Sequence, residues 1–323
     1  MPDDLAFIVA GGLNTDIFAS GVPALVGPGE LVLGGTLHVR AGGKSRNIAN
    51  LLAAYLGGER VAMLGRTCRD AFGLWKPPMD ALLAAGVDTS HVTVVDAVHA
   101  GAFPGVALIP VTSSGRNQIY VVPGANADFS PSDVDAADAL FVRVGRACGM
   151  LIVSLEMPMP TVLHAMAVAR VHGLRVAIDP GGIDETTDVE ALLAHPPDVL
   201  KPNEHEAARL TGIAVCDDAS ARQAAAVLRA RGVPRVLVTR GASDAWCAEG
   251  DVVTRVVVPT VPRDSGGDET GCGDQTMAVL CAELFLGRGF PEACHLAVMA
   301  GALQFTHVGV TPLSRADVLS SHS

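Results

Sequence analysis

Residues 267–277 read GDETGCGDQTM and run straight into the apolar stretch AVLCAELFLG. Two glycines, Gly271 and Gly273, flank Cys272, and a carboxylate, Asp274, follows at once. Met277, Leu280, Cys281 and Leu284 recur at helical spacing, and Gly287 and Gly289 stand where a helix would stop. The first N–H groups of a helix have no intrahelical partner, and the helix dipole adds positive potential there. Bare backbone over Gly271, Cys272, Gly273 and Asp274 therefore makes an anion site that a phosphate can approach closely. Phosphoryl transfer asks for charge stabilisation at the migrating group and a base for the attacking hydroxyl, which Asp274 would supply. Taken alone, GxGD equally fits a first-turn acid that does no more than favour the dipole, by about 0.3–1 kcal/mol. Two rival nucleotide motifs do not fit. No GxxxxGK[ST] occurs, and GCGDQT lacks the third glycine of a dinucleotide fingerprint and has no clear strand before it.

Outward from this stretch, short apolar runs alternate with helical patterns. Residues 5–12, 60–64, 150–155, 175–179, 198–203 and 235–241 are near-continuously apolar, as strands buried on both faces are. Residues 45–57, 161–173, 204–212 and 219–232 carry helical spacing, and several end in glycine. The alternation predicts an α/β fold, a mostly parallel central sheet with helices on both faces. Two segments, 14–41 and 97–125, break the rhythm with strand-like patches and no helix, and SSGRNQ (113–118) reads as a hairpin turn. They predict a small antiparallel β lid over a main domain formed by 1–13, 42–96 and 126–323.

Composition narrows the class. In 323 residues, 49% are hydrophobic, enough for a large core, and only 4% are aromatic, so that core must rest on Ala, Val and Leu. A net charge of −11 argues against nucleic acid and anionic membrane surfaces as partners. Seven cysteines without CxxC spacing read as free thiols in a reducing compartment. The start, MPDDLAFIVAGG, has no basic leader and too short an apolar run for a signal peptide or span. The expectation is a cytoplasmic protein.

Further motifs stand in order along the chain: GGLNTD (11–16), RAGGKSRNIANLLAAYLG (40–57), PGAN (123–126), SLEMP (154–158), KPNEHEAARLTG (201–212) and VTRGASDAW (238–246). With GDETGCGD, the chain from about residue 5 to 315 resembles the ribokinase-like (PfkB-type) carbohydrate kinases. That resemblance implies ATP-dependent phosphorylation of a sugar hydroxyl, with Asp274 as general base and the backbone of Gly271, Cys272 and Gly273 as anion hole. It implies sugar contacts from Asn14, Asp16, Gly42, Gly43, Lys44, Asn47 and Glu156. Asn203 and Glu206 would organise Mg2+ through water, and Thr239, Gly241 and Gly309 would touch the nucleotide. Asp268 and the Thr270 carbonyl match positions that bind a monovalent cation such as K+ in some members. The family usually has Thr where Glu269 stands and Ala where Cys272 stands. A homodimer through the lid is a further implication.

The residues leave alternatives open beside the resemblance. Asn14 and Asp16 also fit a turn after a strand, and Asn203 with Glu206 fits a helix capping box. Cys272 is either a thiol activated at a helix start or a small space-filler. Arg46 stands where the family commonly has a small residue. It either grips an anionic group of the substrate or points to solvent from the first helical turn. A nucleoside or sugar-phosphate kinase of the same family is the nearest rival reading, and a non-catalytic sugar-binding regulator is the rival from another class.

Overall fold

A computed structural model describes residues 5–96, 102–261 and 267–321. Its strands, in chain order, are β1 (Phe7–Ala10), β2 (Asn14–Val22), β3 (Thr36–Gly42), β4 (Val61–Arg69), β5 (Val92–Asp96), β6 (Gly105–Thr112), β7 (Tyr120–Val122), β8 (Met150–Ser154), β9 (Arg175–Asp179), β10 (Val199–Leu200), β11 (Arg235–Arg240), β12 (Ser243–Glu249) and β13 (Val252–Val256). Nine form one sheet in the order β13-β12-β11-β10-β9-β8-β1-β4-β5. From β11 to β5 every pairing is parallel, and β12 and β13 add an antiparallel hairpin at one edge.

The apolar runs are strands because both faces of this sheet are covered. In β1, Phe7 and Val9 face one core, and Ile8 and Ala10 face the other. The first core is closed by helices Lys44–Leu56, Cys272–Phe285 and Phe290–Gln304, the second by Asp138–Arg146, Met159–Val171, Glu204–Thr211 and Asp218–Ala230. The run at 198–203 pairs over two residues only, Val199 and Leu200. Pro202, which has no N–H to donate to a ladder, interrupts it before an isolated bridge pairs Asn203 with Thr239.

The other four strands form a second sheet, β3-β2-β6-β7. Its outer pairs are antiparallel, and its central pair, β2 with β6, is parallel. The sheet is thus mixed, because β2 and β6 both leave the main body in the same direction. The hairpin turn closes with Thr112 N–H donating to Arg116 O at 2.9 Å. Residues 97–101 of the expected lid lie outside the described residues.

Helices Lys44–Leu56 and Cys272–Phe285 pack side by side. Near their C-terminal ends the Tyr55 hydroxyl donates to Glu283 Oε1 at 2.8 Å. Glu283 is fully buried, and Arg288 (2.6 Å) and Arg315 (2.7 Å) also donate to it. Burial pushes its carboxyl up, but bonds from Arg315, Arg288 and Tyr55 outweigh that and hold it below the ordinary range.

Candidate active site

The chain leaves β1 towards β4 on one side, and β8 leads away on the other. That switch point opens a crevice beyond the strands' C-terminal ends. Polar residues gather there: Ser154 ends β8, Asp179 ends β9, Lys201 follows β10 and Thr239 lies at the end of β11. The first turns of helices Lys44–Leu56 and Cys272–Phe285 meet in the same crevice.

The first of these helices is placed by a backbone fit. Gly43 caps it at φ 92°, and a Cβ there would stand 2.6 Å from Gly12 O and 2.9 Å from Asn14 N. Only glycine fits so close to another backbone. A Cβ on Gly42 would strike the Asp16 carboxylate. Glu156 Oε2 accepts the Lys44 N–H at 2.8 Å, meeting one of the orphan donors of the helix. Burial pushes the Glu156 carboxyl up to about 7, with the Lys44 charge opposing and Asp274 and Asp16 adding to the rise. Burial likewise raises Asp16 to about 6, against the pull of Arg46. Asn14 is buried, its Oδ1 accepting from Asn126 Nδ2 at 2.7 Å. Asn126 belongs to the PGAN motif and also spans Leu13 N–H and C=O, so PGAN orients Asn14. The turn alternative is excluded for Asn14 and Asp16, which open β2.

Arg46 does not point to solvent. It is 4% exposed, its Nε donates to Gly42 O at 3.2 Å, and its buried Nη2 has no hydrogen-bond partner among the described residues. Burial lowers its guanidinium to about 10, against the pull of Asp16, Asp274 and Glu156.

Asp274 lies in the first turn of the Cys272–Phe285 helix, whose cap, Gly271, is left-handed at φ 78°. The Asp274 side chain is buried. Asn47 Nδ2 donates to its Oδ2 at 2.7 Å, and Lys44 Nζ stands 3.6 Å from Oδ1. Lys44 Nζ is also 3.8 Å from Asp179 Oδ1, and Lys201 Nζ is 2.8 Å from Asp179 Oδ2. Lys201 Nζ further donates to Gly273 O at 3.2 Å. A chain of alternating charge thus runs from the candidate base to the candidate anion hole. The Asp179 charge, ahead of opposing burial, raises the Lys44 ammonium well above its ordinary range. For Asp179, burial pushes upward, and Lys201 and Lys44 outweigh it to keep the carboxylate charged.

On the other side of Asp274 a cavity of about 630 Å³ is lined by Asn203, Glu206, Thr239, Gly241 and the 271–274 backbone, a size in the range of ligand pockets. Its walls are locked together. Asn203 Oδ1 accepts from His205 and Glu206 N–H at 2.9 Å, and Glu206 Oε2 accepts the Asn203 N–H at 2.9 Å. Thr239 N–H donates to Pro202 O at 3.0 Å. The capping box is therefore real, and Glu206 lines the cavity as well. Burial and then Asp179 raise its carboxyl. Burial, with Asp268, Glu269 and Asp274, pushes the Cys272 thiol up to about 12. Cys272 is not an activated thiol, and it fills space in the cavity wall.

Asp268, Thr270 and Gly309 come together beside the 271–274 loop, and none of the three lines the cavity. Asp268 accepts the Thr270 N–H on Oδ1 (2.8 Å) and the Gly309 N–H on Oδ2 (3.0 Å). Gln304 Nε2 donates to Gly309 O at 2.6 Å and to Thr270 O at 3.2 Å.

Sequence reasoning passed over Asp179, Lys201, Gln304 and the role of Asn126. The signal for the first two was a charged residue closing an apolar strand run, which in an open parallel sheet marks the crevice edge.

Comparison with known proteins finds relatives along nearly the whole chain. The pfkB family carbohydrate kinase profile matches residues 9–316. A ribokinase of Haemophilus influenzae is 29% identical over 304 residues, covering 93% of this chain and 92% of that protein. A deoxyribokinase of Salmonella typhi is 30% identical over 283 residues, covering 87% and 86%. The solved structure of Arabidopsis thaliana ribokinase complexed with ribose and ATP superposes with TM-score 0.82, at 26% identity and 98% coverage of both chains.

Proposed function

The chain belongs to the pfkB family of carbohydrate kinases, and from that footing we propose that it transfers the γ-phosphoryl group of ATP to a hydroxyl of a pentose such as ribose. The observation that carries the reading is the place of Asp274. It is a buried carboxylate in the first turn of its helix, on the wall of the cavity lined by Asn203, Thr239 and Gly241, and it is contacted by Asn47 and Lys44 from the helix that Gly43 caps. The relatives named for ribose and deoxyribose, and the related complex with ribose and ATP, support a pentose and ATP as the substrates.

In this mechanism Asp274 takes the proton of the attacking hydroxyl, while Asn47 holds its Oδ2 in place. The free N–H groups of the 271–274 turn meet the charge on the migrating phosphoryl group. Lys44 Nζ, 3.6 Å from Oδ1, sets a positive charge beside the base. Asp16 and Asn14 present an acceptor and an amide to the sugar hydroxyls, which both donate and accept. Mg2+ takes few protein ligands and keeps water and phosphate oxygens around it. The Asn203–Glu206 turn fits that role, with Glu206 facing the cavity and lowering local potential for a cation. When bound, the ion would neutralise phosphate charge. The second sheet acts as a lid that keeps water from the transferred group. The seven free cysteines are consistent with a reducing, cytoplasmic setting. Among the described residues no helix is long and apolar enough to cross a membrane.

The test is ADP release over a panel of pentoses, hexoses, sugar phosphates and nucleosides, expected to be fastest with a pentose. Asp274→Asn should lower kcat at least ~10²-fold while ATP affinity is kept. Near-normal turnover in that variant would remove Asp274 from the base role.

A further inference from the structure

The resemblance implies a monovalent cation at Asp268 and Thr270, and the geometry there does not fit one. A dehydrated K+ is held by backbone carbonyls that replace its water. The carbonyls on hand, those of Thr270 and Gly309, are already met by the two N–H groups of one side-chain amide, Gln304 Nε2, at 3.2 and 2.6 Å. Gln304 is fully buried and is the last residue of the Phe290–Gln304 helix. Its Oε1 accepts the Thr311 N–H at 3.2 Å. The orientation of the amide follows from these partners, because the flipped amide would set its oxygen against two carbonyl oxygens and its NH2 against an N–H. Both oxygens of Asp268 are likewise committed, to the N–H groups of Thr270 and Gly309. The nitrogen sits at hydrogen-bond distance from the oxygens a cation would have to reach, so amide and ion cannot share the place.

We infer that the Gln304 carboxamide stands in for the monovalent cation, and that this kinase neither binds nor needs K+ at the Asp268–Thr270 loop. The amide performs the structural task of tying the anion-hole loop to the Gly309 loop. It brings no net charge. The negative charge of Asp268 is met by two backbone N–H dipoles instead, and Lys201 brings a cationic side chain to the 271–274 turn at Gly273 O. The inference rests on the family placement but not on the identity of the sugar.

The test compares KCl with tetramethylammonium chloride at equal ionic strength, reading the thermal midpoint and, with ribose as probe, ADP release. Wild type should melt and turn over alike in both salts. A site filled at about a hundred times its Kd would raise the midpoint of a chain this long by roughly 4 °C. A wild-type midpoint or rate that climbs with KCl overturns the inference. Gln304→Ala uncovers both carbonyls, so it should melt lower in tetramethylammonium and regain part of the loss in KCl. Should that variant fail to fold, Gln304→Glu asks the same question at equal length, since a carboxylate facing two carbonyls needs a cation between them. A folded variant indifferent to KCl also overturns the inference. Because melting needs no turnover, a failed sugar screen and a failed cation inference remain distinct results.

Discussion

Glu156 offers a quantitative check on the site. Its ordinary carboxyl value of 4.5 becomes about 7 in the folded chain, chiefly through burial. A carboxyl whose folded value is raised favours folding while it is protonated. That contribution is fully present below pH ~4.5 and is lost as pH rises through ~7. At 1.36 kcal/mol per unit the loss is at most about 3 kcal/mol, or roughly 4–5 °C in midpoint for 323 residues. Glu156→Gln keeps an oxygen to accept the Lys44 N–H, a bond of 2.8 Å in wild type, and cannot ionise. Calorimetric midpoints of both proteins between about pH 5 and pH 8 give the assay. Other groups titrate in both proteins and cancel in the difference. The midpoint of the variant minus that of wild type should rise with pH, by about 4 °C, with its steepest change roughly midway between the two carboxyl values and a plateau above about pH 7. A difference that is flat, or that falls with pH, refutes the account of Glu156 as a buried carboxyl of raised pKa.

Arg46→Ala should lower kcat/KM on a neutral pentose by ~10- to 100-fold, the scale of a hydrogen bond to a charged group, because its buried Nη2 awaits an acceptor. A loss confined to phosphorylated sugars would mark an anion-specific role instead. The second sheet should be engaged twice. Its exposed Leu37, Val39, Tyr120 and Val122 fit a homodimer, which light scattering would report as twice 33.2 kDa. Added pentose should slow hydrogen exchange across 14–22 and 105–112. A monomer at micromolar concentration, or unchanged exchange at saturating sugar, would count against those two roles respectively.

What the sequence showed depended on how local each feature's cause was. Strands such as Met150–Ser154 are apolar along their length because both faces are covered, and that is visible in five residues. Gly43 and Gly271 announce helix starts because their φ values are local demands. Helix Phe290–Gln304 passed unseen because it is buried nearly all round and shows no polar stripe. The β12–β13 hairpin passed unseen because SDAWCAE mixes burial on a sheet edge. Arg46 and Gln304 lay beyond local reading altogether. Whether a polar side chain is exposed or buried with partners is settled by residues far along the chain, such as Thr270, 34 positions from Gln304.

The tie between Tyr55 and Glu283 has a mechanical consequence. Asn47 meets Asp274 at one end of the paired helices, and Tyr55 meets Glu283 at the other. The rungs are about 12 Å apart along one helix and about 14 Å along the other. Two parallel rails with two rungs of matched spacing make a frame that cannot shear without breaking a buried bond. Strain from lid closure or nucleotide entry must then be taken up outside the frame, in the turns that feed it. The residues between the rungs are free to drift in identity as long as they fill the core. The spacing of the rungs is not, because a single inserted residue in either helix would turn one rung by ~100° and pull Asp274 away from the Asn47 amide.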